Sequence, residues 1–155
     1  MTATIDETRL HDFVGTMLGE LGAATSVPLV RLGDRLGLYR ALHAAGPMTA
    51  PELAAATGTV ERYVREWLCA QAASGYLTLL DDGRFELPPE HAMVFAEDES
   101  PASLMGAFDL VKSMLDAEEK VERTFRTGEG VAWGDLGGCL FCAAGRFFRP
   151  GYIHN

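Results

Sequence analysis

Apolar residues recur along most of this chain at helical spacing, and in one place the period changes. Leu10, Phe13, Val14, Met17, Leu18 and Leu21 fall at the i, i+3, i+4, i+7 intervals of an amphipathic helix, after a polar tail over residues 1–9. Gly15, Gly19 and Gly22 lie on another side of the same helix. Glycine inside a helix costs about 1 kcal/mol against alanine, so three of them suggest close approach of another backbone. That backbone is either a neighbouring helix of the same chain or the equivalent helix of a second copy. A separate helix is expected over Ser26–Leu36, with Pro28 in its first turn. Its buried side would be Leu29, Val30, Leu32 and Leu36, with Arg31, Asp34 and Arg35 solvated. Gly37 interrupts, and Leu38–Ala45 gives a short helix ended by Gly46 and Pro47.

Thr49-Ala-Pro-Glu52 reads as a helix start, with the cap at Thr49 or Ala50, proline in the first turn and a glutamate at the positive end. This helix, Glu52–Thr57, stops at Gly58. The next carries Val60, Tyr63, Val64, Trp67, Leu68 and Gln71 at helical spacing and stops at Gly75, so the two form a helix-turn-helix. The period then shortens. Residues 76–80 read as a strand, Asp82-Gly83 as a hairpin turn, and Arg84–Leu87 as the return strand. Helix, turn, helix, hairpin is the winged-helix order.

After Pro88-Pro89 a helical turn spans Glu90–Phe95, and Glu97-Asp98-Glu99 reads as a solvated acidic linker. Ser100-Pro101 is a helix-opening pair. The helix it opens, with Leu104, Phe108, Val111, Leu115, Val121 and Phe125, is expected to run unbroken to about Gly128. A glycine-rich loop covers residues 127–138, and Cys139–Phe148 suits a last helix. The expected fold is mainly α, a winged helix-turn-helix with one β-hairpin, followed by a long helix and a C-terminal helical segment. Three regions follow: residues 1–25 as an N-terminal helix and dimerisation arm, 26–88 as the winged helix, and 89–155 as a helical connector.

Composition narrows the function. With 48% apolar and 23% charged residues the chain reads as soluble and globular. No run approaches 18 uncharged apolar residues, so no membrane partner is expected, and the polar start points to the cytoplasm. Acids outnumber bases 22 to 13. Within Ser26–Pro88 six arginines face seven acids, the second helix of the helix-turn-helix mixes Glu61, Arg62, Arg65 and Glu66, and the wing tip is Asp81-Asp82. Phosphate contacts need a surplus of cations there, so nucleic acid is not the expected partner.

Cys139-Leu-Phe-Cys142 is an isolated pair; a structural zinc site needs four ligands, and neither Cys69 nor His154 stands at a supporting distance in sequence. The pair reads as two half-buried thiols on a helix. Gly128-Glu129-Gly130 follows a helix, whereas a dinucleotide cradle follows a strand. The four histidines are scattered. No catalytic residue and no metal ligand can be singled out.

Several segments together carry a resemblance. Leu36-Gly-Leu-Tyr-Arg-Ala-Leu42, Met48-Thr-Ala-Pro-Glu-Leu-Ala-Ala-Ala-Thr-Gly58, Val64-Arg-Glu-Trp-Leu68 and Ala72-Ala-Ser-Gly-Tyr-Leu77 resemble the N-terminal winged-helix domain of bacterial class I S-adenosylmethionine-dependent methyltransferases. Phe85-Glu-Leu-Pro-Pro-Glu-His-Ala92, Phe95-Ala-Glu-Asp-Glu-Ser-Pro101 and Arg146-Phe-Phe-Arg-Pro-Gly-Tyr152 extend it over nearly the whole chain. The resemblance implies a homodimer in which the winged helix mediates dimerisation and helps cover the site of a small-molecule methyl acceptor. It also implies cofactor contact by Tyr152, Phe148, Phe147 and Arg149, with Trp133 a further candidate, in a full-length context only. The family's cofactor site centres on an acidic-x-Gly-x-Gly turn after the first strand of a Rossmann-like domain, and no such strand and turn precede Asn155. The expectation is therefore an N-terminal fragment that holds no S-adenosylmethionine and transfers no methyl group by itself. A winged-helix DNA-binding regulator is the alternative.

Overall fold

Asp6 opens the first helix by accepting hydrogen bonds from the backbone N–H groups of Thr8 (3.0 Å) and Arg9 (3.1 Å). In the computed structural model, which describes residues 4–136 and 140–154, this helix, α1, runs without a break over Glu7–Arg35. The two helices expected on either side of Gly22 are one. An interior proline removes a helical hydrogen bond and crowds the preceding turn. Here the Thr25 and Ser26 hydroxyls bond back to the carbonyls of Gly22 (2.8 Å) and Ala23 (2.6 Å), and the helix continues through Pro28. Only the C-terminal third of α1 packs against the rest of the chain. Val30 is fully buried, and Gly33 sits so close to the Trp67 and Tyr39 rings that a Cβ there would lie 2.5 Å from Trp67. Asp34, expected in solvent, is buried, while Leu32 and Leu36 are exposed.

α2 (Leu38–Ala45), α3 (Ala50–Thr57) and α4 (Glu61–Ala73) follow. Thr49 and Glu52 form a reciprocal capping box, so α3 starts two residues earlier than its first glutamate. Gly58 takes φ +64°, the left-handed conformation that stops α3 and turns the chain into α4. At the end of α4, Tyr76 N–H bonds the Gln71 carbonyl and Gly75 N–H the Ala72 carbonyl, a Schellman closure. It takes Tyr76 and Leu77 out of the expected strand. The hairpin is consequently short, β1 (Thr78–Leu79) against β2 (Phe85–Glu86), with Leu79 opposite Phe85. Met48 adds a single bridge to Phe85. The core is Leu38, Tyr39, Leu42, Leu53, Val64, Trp67, Leu68, Phe85 and Phe95. Tyr39 stacks on Phe95 at 4.9 Å and meets Trp67 edge-on at 5.0 Å. The mainly helical winged helix with a small hairpin is the fold expected from the sequence.

The second half departs more. After α5 (Pro89–Phe95), Ser100 caps a turn rather than a helix: its hydroxyl accepts from Ala102 N–H at 3.1 Å and its carbonyl from Ser103 N–H at 3.0 Å. The expected long helix begins only at Met105 and breaks at the buried Ala117, giving α6 (Met105–Asp116) and α7 (Glu118–Thr127). A 3-10 turn covers Trp133–Asp135, and α8 (Leu140–His154) runs on through Pro150, six residues beyond its expected end. Leu140, Ala143 and Pro150 are buried, and α8 lies so close on α6 that a Cβ on Gly106 would stand 2.6 Å from the Phe147 Cα. Gly137, Gly138 and Cys139, hence half of the Cys139/Cys142 pair, lie outside the described residues; Cys142 itself is exposed rather than half-buried.

Packing within the chain does not account for the Gly15, Gly19 and Gly22 stripe. Among the described residues nothing lies within 4 Å of a Cβ at any of the three. Phe13, Leu18 and Leu21 are each more than half exposed. By length and composition α1 is also a helix that could cross a membrane, with mean hydropathy 1.3 over 18 residues. The expectation that no segment has this character is corrected: a single glutamate, Glu20, hid the run.

Two glycines of the α6–α8 pair separate packing from propensity. Gly106→Val should destabilise the protein by about 1–3 kcal/mol, because two backbones would have to part. Gly145→Ala, with nothing within 4 Å, should stabilise it by about 0.5–1 kcal/mol. Chemical unfolding followed by circular dichroism reads both.

Candidate functional site

One ionic cluster sets the rotation of α8. Arg146 donates to both carboxylate oxygens of Asp34, at 2.6 and 3.0 Å, across 112 residues of sequence. The same guanidinium reaches Asp98 (Nε, 3.1 Å) and Asp109 (3.4 Å). Arg40 adds a second cation to Asp34 at 2.9 Å, and Arg31 a second to Asp109 at 2.8 Å. The acidic loop is therefore no free linker: Asp98 holds Arg146, Glu99 holds Arg149 at 2.8 Å, and Glu97 meets His43 at 3.3 Å. Burial pushes the Asp34 carboxyl upward in pKa, but Arg146 and Arg40 outweigh it and hold the group below its ordinary value. The same contacts raise Arg146.

With Arg146 turned inward, residues 141, 145, 148 and 152 share the opposite side of α8. Phe141, Phe148 and Tyr152 there are 51%, 55% and 83% exposed. Trp133, itself 60% exposed, meets Phe141 edge-on at 5.7 Å. Three of the five candidate residues, Trp133, Phe148 and Tyr152, thus belong to one apolar face. The Phe147 backbone lies against Gly106 of α6, and its ring meets Phe148 edge-on at 5.1 Å. Arg149 is tied to Glu99, whose carbonyl also meets His154 Nε2 at 2.8 Å. The five do not converge on a point. From Phe141 to Tyr152 is eleven residues of helix, about 16 Å.

Sequence reasoning missed two elements. Phe141 carries the face between Trp133 and Phe148, and its i, i+7, i+11 spacing to Phe148 and Tyr152 was the available signal. Beside it, Met114, Leu115, Val121, Phe125, Trp133 and Leu136 line an open apolar groove of about 770 Å³ between α6, α7 and the 3-10 turn. A second groove, about 570 Å³, lies between α1 and α4 and is lined by Leu32, Leu36, Val60, Tyr63 and Trp67.

Neither described strand leads into a glycine-rich turn that opens a helix. The only strands among the described residues are the two of the hairpin. Gly128, at φ +75°, caps the end of α7. Among the described residues no group of three or more His, Cys, Asp or Glu could hold a metal ion.

Residues 23–97, just under half of the chain, match the family model described as the Rv2258c-like winged HTH domain. Solved structures share the fold over most of the chain. The mitomycin 7-O-methyltransferase MmcR aligns with a TM-score of 0.71 and 22% identity, over 96% of this chain and 47% of its own. CalO1, a methyltransferase in calicheamicin biosynthesis solved in its SAH-bound form, aligns at 0.62 and 22%, over 96% and 45%. RosA from Streptomyces davawensis, an N,N-8-amino-8-demethyl-D-riboflavin dimethyltransferase, aligns at 0.58 and 21%, over 96% and 45%. The chain spans about half the length of these structures. No curated protein matches it.

The Asp34–Arg146 contact has a pH signature. A carboxyl whose folded pKa is depressed adds stability above its unfolded value of about 3.9, lost as pH falls through the lower folded value. Arg146→Met, leaving a buried carboxylate short of its main partner, should cost about 3 kcal/mol at pH 7. The stability gap between wild type and Asp34→Asn should shrink steadily below pH 4 in urea unfolding.

Proposed function

We propose that this chain is the N-terminal dimerisation and substrate-lid part of a cytoplasmic S-adenosylmethionine-dependent small-molecule methyltransferase, and that it transfers no methyl group by itself. The observation that carries the reading is the pattern of coverage. Proteins named as methyltransferases match the fold over 96% of this chain, yet it spans only 45–47% of each. In this reading the cofactor is held by sequence beyond this half, and the Trp133, Phe148 and Tyr152 face turns toward it.

Exposed area leaves room for a second copy as well as for the remaining half. A folded monomer of 16.8 kDa exposes about 7,600 Å² by the usual scaling. This chain exposes 10,415 Å². The surplus, roughly 2,800 Å², exceeds the ~800 Å² that each partner of a standard interface buries. The N-terminal half of α1 contributes to it, with Phe13, Leu18 and Leu21 each more than half exposed.

A second reading, a DNA-binding regulator, draws on the winged-helix topology alone. Against it, Arg62 pairs with Glu66 and Arg65 with Glu61 along α4, and Arg84 pairs with Asp82 at the wing. The basic side chains a DNA reader would offer thus have acidic neighbours within reach.

The deciding experiment reads the source DNA beyond codon 155 and produces the joined chain. An acidic-x-Gly-x-Gly turn after a strand, with S-adenosylhomocysteine binding by the joined chain and no heat from the 155-residue chain, is the expected result. A clean stop together with a specific mobility shift of genomic DNA at moderate salt would replace this reading with the regulator. On light scattering the chain should weigh twice 16.8 kDa, and Gly19→Leu should halve that mass. An unchanged mass would remove α1 from the interface.

A further inference from the structure

We infer that the groove between α6, α7 and the 3-10 turn binds a flat aromatic molecule that carries a positive charge. Its volume, about 770 Å³, is that of a pocket for a ligand of drug size. Its walls are almost wholly apolar: Met114, Leu115, Val121 and Leu136, with the Phe125 and Trp133 rings. Phe125 is 88% exposed and Trp133 60%, so both rings are open to stacking. The edge-on contact with Phe141 steadies the Trp133 ring from one side.

The charge follows from which polar groups line the groove and which are already engaged. The only charged side chains in the lining are Glu118 and Glu122. None of the cations of α6 and α7 lines the groove, and all of them but Arg123 are already engaged. Arg126 donates to Glu122 (Nε, 3.1 Å), Lys112 to Asp116, and Lys120 to the Asp135 carbonyl. Glu118 has no ion-pair partner among the described residues. The groove therefore offers ring faces, which favour a cation, and one unneutralised carboxylate. An anionic ring would face repulsion with nothing in the lining to offset it. The α1 arm of a second copy also suits this groove poorly, because Asp6, Glu7, Asp12 and Glu20 stand there against Arg9 alone. As a statement about the methyl acceptor this rests on the function proposed above; as a statement about ring binding it does not.

A matched pair of probes tests it on this chain without any cofactor. Naphthylmethylamine and naphthylacetate share a ring and differ in the sign of their charge. In calorimetric titration the cation should bind about fivefold tighter than the anion, as one exposed ion pair allows. Glu118→Gln should narrow that ratio to about twofold or less while the circular dichroism spectrum stays the same. Trp133→Ala should weaken both probes about tenfold, and Phe125→Ala should do the same if the first variant perturbs the 3-10 turn. Equal or tighter binding of the anion would overturn the inference. So would binding indifferent to both ring variants, or no binding of either probe, the result if a second copy covers the groove. Should the joined chain fail to bind S-adenosylhomocysteine while the cation preference holds, the methyltransferase reading falls and the groove assignment stands.

Discussion

The bidentate contact between Arg146 and Asp34 is the constraint on which the second half of the molecule depends. α8 is apolar on more than one side: Leu140, Ala143 and Pro150 on one face, Phe141, Phe148 and Tyr152 on another. Hydrophobic burial has no direction, so it does not by itself choose which face turns inward. A guanidinium fork on a buried carboxylate does choose, because the wrong rotation would strand a charge away from water. Gly106 then lets α8 settle backbone against backbone on α6. The aromatic residues left outside are those that the rotation leaves over.

The same contact explains why the two halves of the sequence were unequally legible. The helix-turn-helix is specified by residues close in sequence: the Thr49–Glu52 capping box, the left-handed Gly58, and the Val64, Trp67 and Leu68 stripe. Each of these could be read in place. Asp34 could not, since its partner lies 112 residues away and its immediate neighbours, Gly33 and Arg35, look like those of a surface residue. The continuity of α1 was hidden for a related reason. Pro28 and three glycines argue locally for a break, and what favours continuity is the burial of Val30 and the close packing of Gly33 against Trp67 and Tyr39. The break at Ala117 is the converse case, where nothing in the local sequence opposes a continuous helix.

The candidate residues were legible as residue types and not as a surface. Position in the sequence points to Trp133, Phe148 and Tyr152, whereas the structure sets Phe141, Phe148 and Tyr152 along one line of α8 with Trp133, in the 3-10 turn, against Phe141. Phe147 and Arg149 serve packing and ion pairing instead. The groove beside them was out of reach of sequence reasoning, since its lining brings together residues of α6, α7 and the 3-10 turn across a helix end at Ala117 that no local residue announces.

The winged helix poses the sharpest question of how far fold carries function. An i, i+4 ion pair on an exposed helix contributes only about 0.2–0.5 kcal/mol, so the pairing of Arg62 and Arg65 would not by itself stop either from reaching a phosphate. The stronger consideration is what surrounds them. Val60 and Tyr63, at the start of the helix a DNA reader would place in the major groove, are 62% and 74% exposed and border an apolar groove with Leu32 and Leu36. Those are side chains suited to a protein surface, and counterion release from so few cations would contribute little to affinity. The apolar half of α1 projects from the other wall of that groove. The helix that elsewhere reads DNA thus presents here an apolar surface on which cations and acids balance.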